Sequence, residues 1–184
     1  ATIVRKGNRL YRQQKYNDAL KTYDEALKDQ PDSAVINFNR GASQFKAGDF
    51  PAAALSFEKA IATQDRSLEA KANYNLANSK YKQAAQKKEE DLSAALSLMG
   101  ESLERYKRSI ELDQKDLDAK LNYELVDKEY KELKEKLQKQ GSQGQKQQAS
   151  QEQQQQEQQQ GQQQQQGKQE QQQDKQEQGQ QSEE

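Results

Sequence analysis

The sequence has 184 residues, with 29 basic and 30 acidic side chains and a net charge of −1 at neutral pH. Because so balanced a charge creates no field that attracts polyanions, we expect no nucleic-acid partner and no binding to anionic lipid. The chain has no cysteine and no histidine, which excludes disulfides, thiolate nucleophiles, the usual zinc sites and the commonest general base. We therefore expect no metal and no cofactor.

No apolar run approaches the roughly 18 residues that a membrane-spanning helix requires. We therefore expect no direct membrane insertion of the given part. The sequence begins at Ala1 and not at a methionine. We expect that an N-terminal segment was removed or left out, a signal peptide or a membrane anchor being among the possibilities.

The first 67 residues can be laid over themselves with a constant shift of 34 positions. Small and aromatic residues then coincide: Gly7 with Gly41, Ala19 with Ala53, Tyr23 with Phe57, and Ala26 with Ala60. A period of about 34 residues is that of a helix-turn-helix repeat. The pattern therefore predicts an all-α fold whose first two repeats cover about residues 1–33 and 34–67.

These positions resemble those of the tetratricopeptide repeat (TPR) family. The glycine, the tyrosine or phenylalanine, the alanines, the aromatic residue and the proline of that family are filled here by Gly7, Tyr16, Ala19, Tyr23, Ala26 and Pro31, and then by Gly41, Phe50, Ala53, Phe57 and Ala60. Asp65 stands where the second proline would be. The resemblance implies a right-handed TPR-type α-solenoid of three helix pairs followed by a capping helix.

Apolar residues spaced three and four apart predict helices over residues 2–13 and 17–29. Pro31 cannot continue a helix, and Asp32 or Ser33 can cap the next helix by accepting a hydrogen bond from a free backbone N–H. The short segment around the proline is therefore predicted to be a turn. Gly7 and Gly41, and Ala77 after them, are predicted to leave room where the backbones of neighbouring helices approach.

The third repeat, residues 68–116, contains a 13-residue insertion near residues 84–100. Leu92, Ala95, Leu96 and Met99 recur there at helical spacing, and no proline interrupts them. The insertion is therefore predicted to lengthen the helices and not to form a loop. Two interpretations stay open: the longer helices contact a partner, or the added length is neutral.

The domain is predicted to cover residues 1–138 and to end with a capping helix over residues 117–138. One apolar stripe is expected on that helix: Leu117, Leu121, Leu125, Val126, Tyr130, Leu133 and Leu137. Residues 139–184 are nearly all glutamine with scattered glycine and charged residues. Because such a segment buries too little apolar surface to offset ordering, we predict a disordered tail.

The candidate site is the concave face of the solenoid, which the first helices of the repeats line in the family that this chain resembles. The predicted groove residues are Asn8, Tyr11, Arg12, Phe38, Asn39, Phe45, Lys46, Lys71, Tyr74, Asn75, Asn78, Tyr81 and Lys82. Rings supply area to bury, amides bond a peptide backbone, and cations attract acidic groups. An alternative interpretation is that Tyr11, Phe45 and Tyr81 fill the core between helices.

One subclass of the TPR family holds a partner's C-terminal carboxylate with two lysines, two asparagines and an arginine or lysine. Asn8, Asn39 and Lys71 occupy three of these five positions, whereas Val4 and Asn75 occupy the other two. Asparagine also recurs at the position of Asn39 and Asn75 in the capping helix, which favours a structural role. A carboxylate-binding co-chaperone is therefore the alternative to a general peptide-binding groove.

Catalysis is not expected, because no serine has a histidine or cysteine partner and acidic residues such as Glu89, Glu90 and Asp91 are adjacent in sequence. A glycosidase pair requires separated carboxylates. We interpret the chain as a non-enzymatic scaffold that binds a protein or peptide.

Residues 73–78, 106–110 and 118–126, together with the glutamine-rich tail, resemble the BatC family of the bacterial aerotolerance (Bat) operon. The resemblance implies a stress-tolerance scaffold in the bacterial periplasm or cell envelope, with von Willebrand factor A domain proteins and a MoxR-type ATPase as partners. The cytoplasm is the alternative compartment. A further alternative is a structural assembly or cell-wall factor that acts through its tail.

Overall fold

The computed structural model describes residues 2–139, which form seven helices without a strand. The helices are α1 (Thr2–Arg12), α2 (Tyr16–Asp29), α3 (Ala34–Lys46), α4 (Phe50–Ile61), α5 (Arg66–Lys87), α6 (Leu92–Leu112) and α7, which begins at residue 117 and continues to residue 139. The predicted all-α class is confirmed. The predicted disordered tail lies outside the described residues.

The helices pack in chain order, each against the one before it, as far as α6. The first helices of successive repeats, α1, α3 and α5, also contact one another. The predicted solenoid of helix pairs is therefore confirmed. No helix within residues 2–139 combines the length and the apolar character that crossing a bilayer requires.

One packing contact explains the spacing between the glycine and the aromatic residue in the first two repeats. A Cβ atom added at Gly7 would lie 2.5 Å from Cε1 of Tyr23, and one added at Gly41 would lie 2.9 Å from Cε1 of Phe57. Both rings are almost completely buried. The prediction that these glycines admit a neighbouring backbone was therefore wrong in its detail, because the space is filled by a ring of the second helix.

Aspartates cap four of the helices, whereas the predicted cap of α3 by Asp32 or Ser33 does not form. The aspartates accept hydrogen bonds from backbone N–H groups: Asp49 from Ala52, Asp65 from Leu68, Asp91 from Ala94 and Asp116 from Ala119. Ser33 occupies the N-cap position of α3, but neither its side chain nor that of Asp32 makes a capping bond. The turn is held instead by Asn37, whose Nδ2 donates to the carbonyl oxygens of Ser33 and Pro31 at 3.1 and 3.2 Å.

The extra residues of the third repeat lengthen both of its helices, as predicted. Helices α5 and α6 have 22 and 21 residues, compared with 13 and 12 in α3 and α4. A short turn ending at Asp91 joins the two longer helices. Whether the added length contacts a partner stays a prediction.

The sequence analysis predicted one apolar stripe on α7, but its apolar residues lie on two faces of the helix. Val126 and Leu133 are buried in the same cluster as residues of α5 and α6. Leu117, Leu121 and Leu125 are exposed. Spacings of three and four can be read along either face of a helix, and the packing against α5 and α6 decides which face is buried.

Candidate functional site

The first helices α1, α3, α5 and α7 form one surface, which we call the first-helix face. Across it, Nδ2 of Asn39 in α3 donates to Oδ1 of Asn8 in α1 at 3.2 Å. Nδ2 of Asn122 in α7 donates to Oδ1 of Asn78 in α5 at 3.4 Å. A contact between two asparagine side chains therefore links neighbouring first helices at both ends of the stack.

The first of these amide pairs also binds a tyrosine of the second helix. The hydroxyl of Tyr23 donates to Oδ1 of Asn8 at 2.7 Å, so this oxygen accepts two hydrogen bonds. The amide NH₂ of Asn8 and the side-chain oxygen of Asn39 make no further hydrogen bond within residues 2–139. One amide donor and one amide acceptor of this pair thus have no partner among the described residues.

These two groups open into a cavity of about 340 Å³ between α1 and α3. It is lined by Asn8, Tyr11, Arg12, Tyr23, Phe38, Asn39 and Ala42. Five of the predicted site residues are therefore neighbours in space. The sequence analysis missed Tyr23 as a site residue, although the hydroxyl that distinguishes it from Phe57 was a usable signal.

The second amide pair, like the first, accepts a hydrogen bond from a buried tyrosine of the second helix. The hydroxyl of Tyr106 donates to Oδ1 of Asn78, and Asn122 also donates to the hydroxyl of Tyr74 at 3.0 Å. Tyr106 follows Asn78 by 28 residues, whereas Tyr23 follows Asn8 by 15, and the difference of 13 is the length of the insertion. The longer helices thus preserve the network.

The middle repeat replaces this polar network with apolar residues. Ala42 stands where the other repeats have Asn8 and Asn78, and Phe57 stands where they have a tyrosine. The ring of Phe57 contacts that of Phe38 edge to face, with centroids 5.6 Å apart. The amide groups of the first-helix face are therefore grouped at its two ends.

The tyrosine hydroxyls are protonated at physiological pH and donate to the asparagines, and burial raises their pKa further. Desolvation, with a smaller contribution from Tyr11, raises the pKa of Tyr23 to about 12. Desolvation also holds the pKa of Tyr106 well above its usual range. The orientation of Asn8 and Asn78 is consequently fixed across the physiological pH range.

Tyr81 is tied into the fold through its hydroxyl. It donates to Oε1 of Glu129 in α7 at 2.9 Å, and Nζ of Lys88 lies 3.6 Å from the other oxygen of that carboxylate. Desolvation and this hydrogen bond raise the pKa of Tyr81 to about 12. Tyr81 therefore connects α5 to α7 and is not a free groove residue.

Tyr11 and Phe45 pack on neighbouring rings while remaining partly exposed. The ring of Tyr11 meets that of Tyr16 with centroids 5.5 Å apart, and Phe45 meets Phe50 at 5.2 Å. Each ring also contacts a buried cluster. The core interpretation thus describes one side of these rings, and the other side lies on the first-helix face.

The predicted cations and Asn75 lie outside the amide networks. Lys46, Lys71 and Lys82 are exposed and make no ion pair within the described residues. The amide of Asn75 donates to the carbonyl oxygen of Lys71 in its own helix at 2.9 Å. Val4 packs against the buried cluster of the first repeat. The five positions of a carboxylate-binding site are therefore only partly filled here.

Comparison with known proteins finds sequence similarity in the first two repeats. Residues 4–67 match the family model described as "Tetratricopeptide repeat". The Hsp70-Hsp90 organizing protein of Triticum aestivum is 41% identical over 56 residues, which are 30% of this chain and 10% of that protein. The chain thus spans about a tenth of the length of this curated relative.

Two solved structures have a similar fold at low sequence identity. One is described as the first TPR of Spaghetti (RPAP3) bound to the HSP90 peptide SRMEEVD, with a TM-score of 0.57, 23% identity and coverage of 69% of this chain and 89% of that one. The other is the Yersinia enterocolitica type III secretion chaperone SycD with a peptide of the translocator YopD, with a TM-score of 0.53, 16% identity and coverage of 73% and 92%. Residues 4–67 of this chain therefore match the tetratricopeptide repeat family, and the described helices form an all-α solenoid of helix pairs.

Proposed function

We propose that this chain is a non-enzymatic interaction module that holds a peptide segment of a partner protein against the first-helix face. The observation that carries the proposal is the cavity between α1 and α3, which is lined by the linked amides of Asn8 and Asn39. The NH₂ of Asn8 and the side-chain oxygen of Asn39 have no partner within residues 2–139, so they can bond the C=O and the N–H that each residue of an extended peptide presents.

The other residues of the cavity fit the same ligand. The partly exposed rings of Tyr11 and Phe38 can cover apolar side chains of a peptide. Arg12 is exposed and makes no ion pair within the described residues, so it can attract an acidic side chain. Two proteins of similar fold are described with bound peptides, which supports this reading.

The proposal is tested with a peptide that the protein itself selects. Phage-displayed dodecamers are selected on the 184-residue protein, and the best peptide is measured by fluorescence polarisation. Because Asn39→Ala removes a hydrogen-bonding amide from the cavity, we expect its affinity to fall about tenfold. Asn17→Ala, an exposed asparagine in α2, is the matched control and should bind like the unsubstituted protein.

Equal affinity of Asn39→Ala and the unsubstituted protein would contradict the groove assignment.

The same assay also addresses the second candidate, a carboxylate-binding co-chaperone, which the contact between Asn8 and Asn39 favours. Its probe is SRMEEVD, the peptide of the RPAP3 structure, as the free acid and as the C-terminal amide. Because Val4 and Asn75 replace two cations, we expect the two forms to differ by less than about threefold. A free acid that binds at least tenfold more tightly, and loses this advantage in Lys71→Ala, would establish the co-chaperone instead.

For the cellular context we propose the bacterial periplasm or cell envelope, with von Willebrand factor A domain proteins and a MoxR-type ATPase as partners. The support is the sequence resemblance of residues 73–78, 106–110 and 118–126 to the aerotolerance-operon family. We expect envelope fractions of the native cell to contain the protein, and crosslinking there to recover a von Willebrand factor A domain. Recovery from the cytosol alone would contradict this placement, and loss of the partner on deleting residues 139–184 would favour a factor that acts through its tail.

A further inference from the structure

Helix α7 carries three leucines that its own fold leaves in contact with solvent. Leu117, Leu121 and Leu125 are 73%, 65% and 50% exposed. They are spaced four residues apart and so lie on one face of the helix, which differs from the face of the buried Val126 and Leu133. A row of three exposed leucines on one helix is an unpartnered apolar surface.

The position of this row in the repeat explains why it is exposed. Leu121 precedes Asn122 as Phe38 precedes Asn39, and both asparagines make the same contact with the preceding first helix. Phe38 is only partly exposed, because the second helix of its repeat places Phe57 against it. Within residues 2–139 no second helix follows α7. Helix α7 is therefore the first helix of a pair whose second helix is absent from residues 2–139.

The remaining residues of this sequence lack the side chains to complete that pair. Residues 140–184 contain one apolar residue, Ala149. A helix that covers three leucines needs an apolar stripe of its own. Residues 140–184 therefore carry no apolar stripe that could cover the leucines.

We propose that a second copy of the chain covers the leucines, and that the two α7 helices pack antiparallel about a two-fold axis at Leu121. A two-fold axis perpendicular to the helices makes them antiparallel, which is also the arrangement within each helix pair. Leu121 then meets its counterpart, and Leu117 meets Leu125 of the other copy. In the proposed dimer, each α7 packs against the other in the place where a regular repeat has its second helix.

The charges beside the leucines fit this arrangement. Lys120 and Glu124 flank the same side of the row, one residue before and three residues after Leu121. At 1.5 Å per residue, Lys120 of one copy lies about 3 Å along the axis from Glu124 of the other. Neither side chain makes an ion pair within the described residues. The two-fold axis thus pairs each free lysine with a free glutamate.

The first test is the oligomeric state of the 184-residue protein. Sedimentation velocity over a range of micromolar concentrations should show a reversible monomer–dimer equilibrium, a weak one because the contact area is small. Leu121→Asp should raise the dissociation constant at least about tenfold, because it places two carboxylates on the axis. The matched control is Leu55→Asp on α4, where the leucine is 62% exposed, and it should leave the equilibrium unchanged.

The second test exchanges the charges of Lys120 and Glu124. The exchange restores the dimer only if a second copy packs in the proposed register. Lys120→Glu alone, or Glu124→Lys alone, should weaken the dimer about tenfold by placing like charges opposite each other. The double variant Lys120→Glu with Glu124→Lys should restore it. Circular dichroism should show helix retained in every variant. A monomer at all concentrations, or a dimer in which the double variant is no better than the singles, would overturn the proposal.

Discussion

Truncation of Tyr106 to alanine is expected to lower the free energy of unfolding by about 3–5 kcal/mol. The ring is fully buried in the cluster that joins α5, α6 and α7, which also contains Met99 and Val126. Its neighbour Tyr74 meets it edge to face, with centroids 6.0 Å apart. Because three helices share this ring, a cavity left by its removal collapses poorly. Urea denaturation followed by circular dichroism measures the effect.

The hydroxyl contributes a smaller part of this free energy, which Tyr106→Phe isolates. Without the hydroxyl, Oδ1 of Asn78 keeps only the longer bond from Asn122, at 3.4 Å. We expect a loss of about 1 kcal/mol. Tyr130→Phe is the matched control, because Tyr130 is half-buried in the same cluster and its hydroxyl makes no hydrogen bond within residues 2–139. An alanine variant as stable as the unsubstituted protein would show that the cluster does not stabilise the fold.

The features that sequence analysis predicted correctly are those that repeat along the chain. The shift that aligns Gly7 with Gly41 and Tyr23 with Phe57 identified the helix pairs, because each glycine must lie beside a ring of the same repeat. The lengthening of α5 and α6 was also predicted correctly. A helix is a local structure, so apolar residues at helical spacing are sufficient to predict it.

The contacts between repeats could not be predicted in the same way. Asn8 meets Tyr23 and Asn39, which are 15 and 31 residues away, and their geometry depends on how three helices pack. Recurrence of asparagine suggested a structural role but did not show that one amide pair stays available. For a related reason, the sequence analysis assigned the apolar residues of both faces of α7 to one stripe. Exposure of Leu121 is set by the absence of a neighbouring helix within the described residues, which spacing on α7 cannot reveal.

Replacement of Gly41 by valine is expected to lower the free energy of unfolding by about 2–3 kcal/mol. Its Cβ would lie 2.9 Å from Cε1 of Phe57, a ring that is fully buried in the middle of the stack. Valine has the higher helix propensity, by roughly 0.3–0.5 kcal/mol, so the clash must exceed that gain. Displacement of Phe57 also moves Phe38, which contacts it and lines the cavity between α1 and α3. Peptide binding should therefore weaken together with stability.

Gly100→Ala is the control that separates the clash from the general effect of removing a helical glycine. Gly100 lies inside α6, and its added Cβ would meet only Cε2 of Tyr130, at an ordinary 3.9 Å. We expect this variant to gain about 0.5–1 kcal/mol. If Gly41→Val were also stabilised, Phe57 would have to move without cost, and the contact between glycine and ring could not explain why small residues recur in the first helices. A loss confined to Gly41→Val would instead show that this contact determines both the packing of the repeat and the position of Phe38 in the cavity.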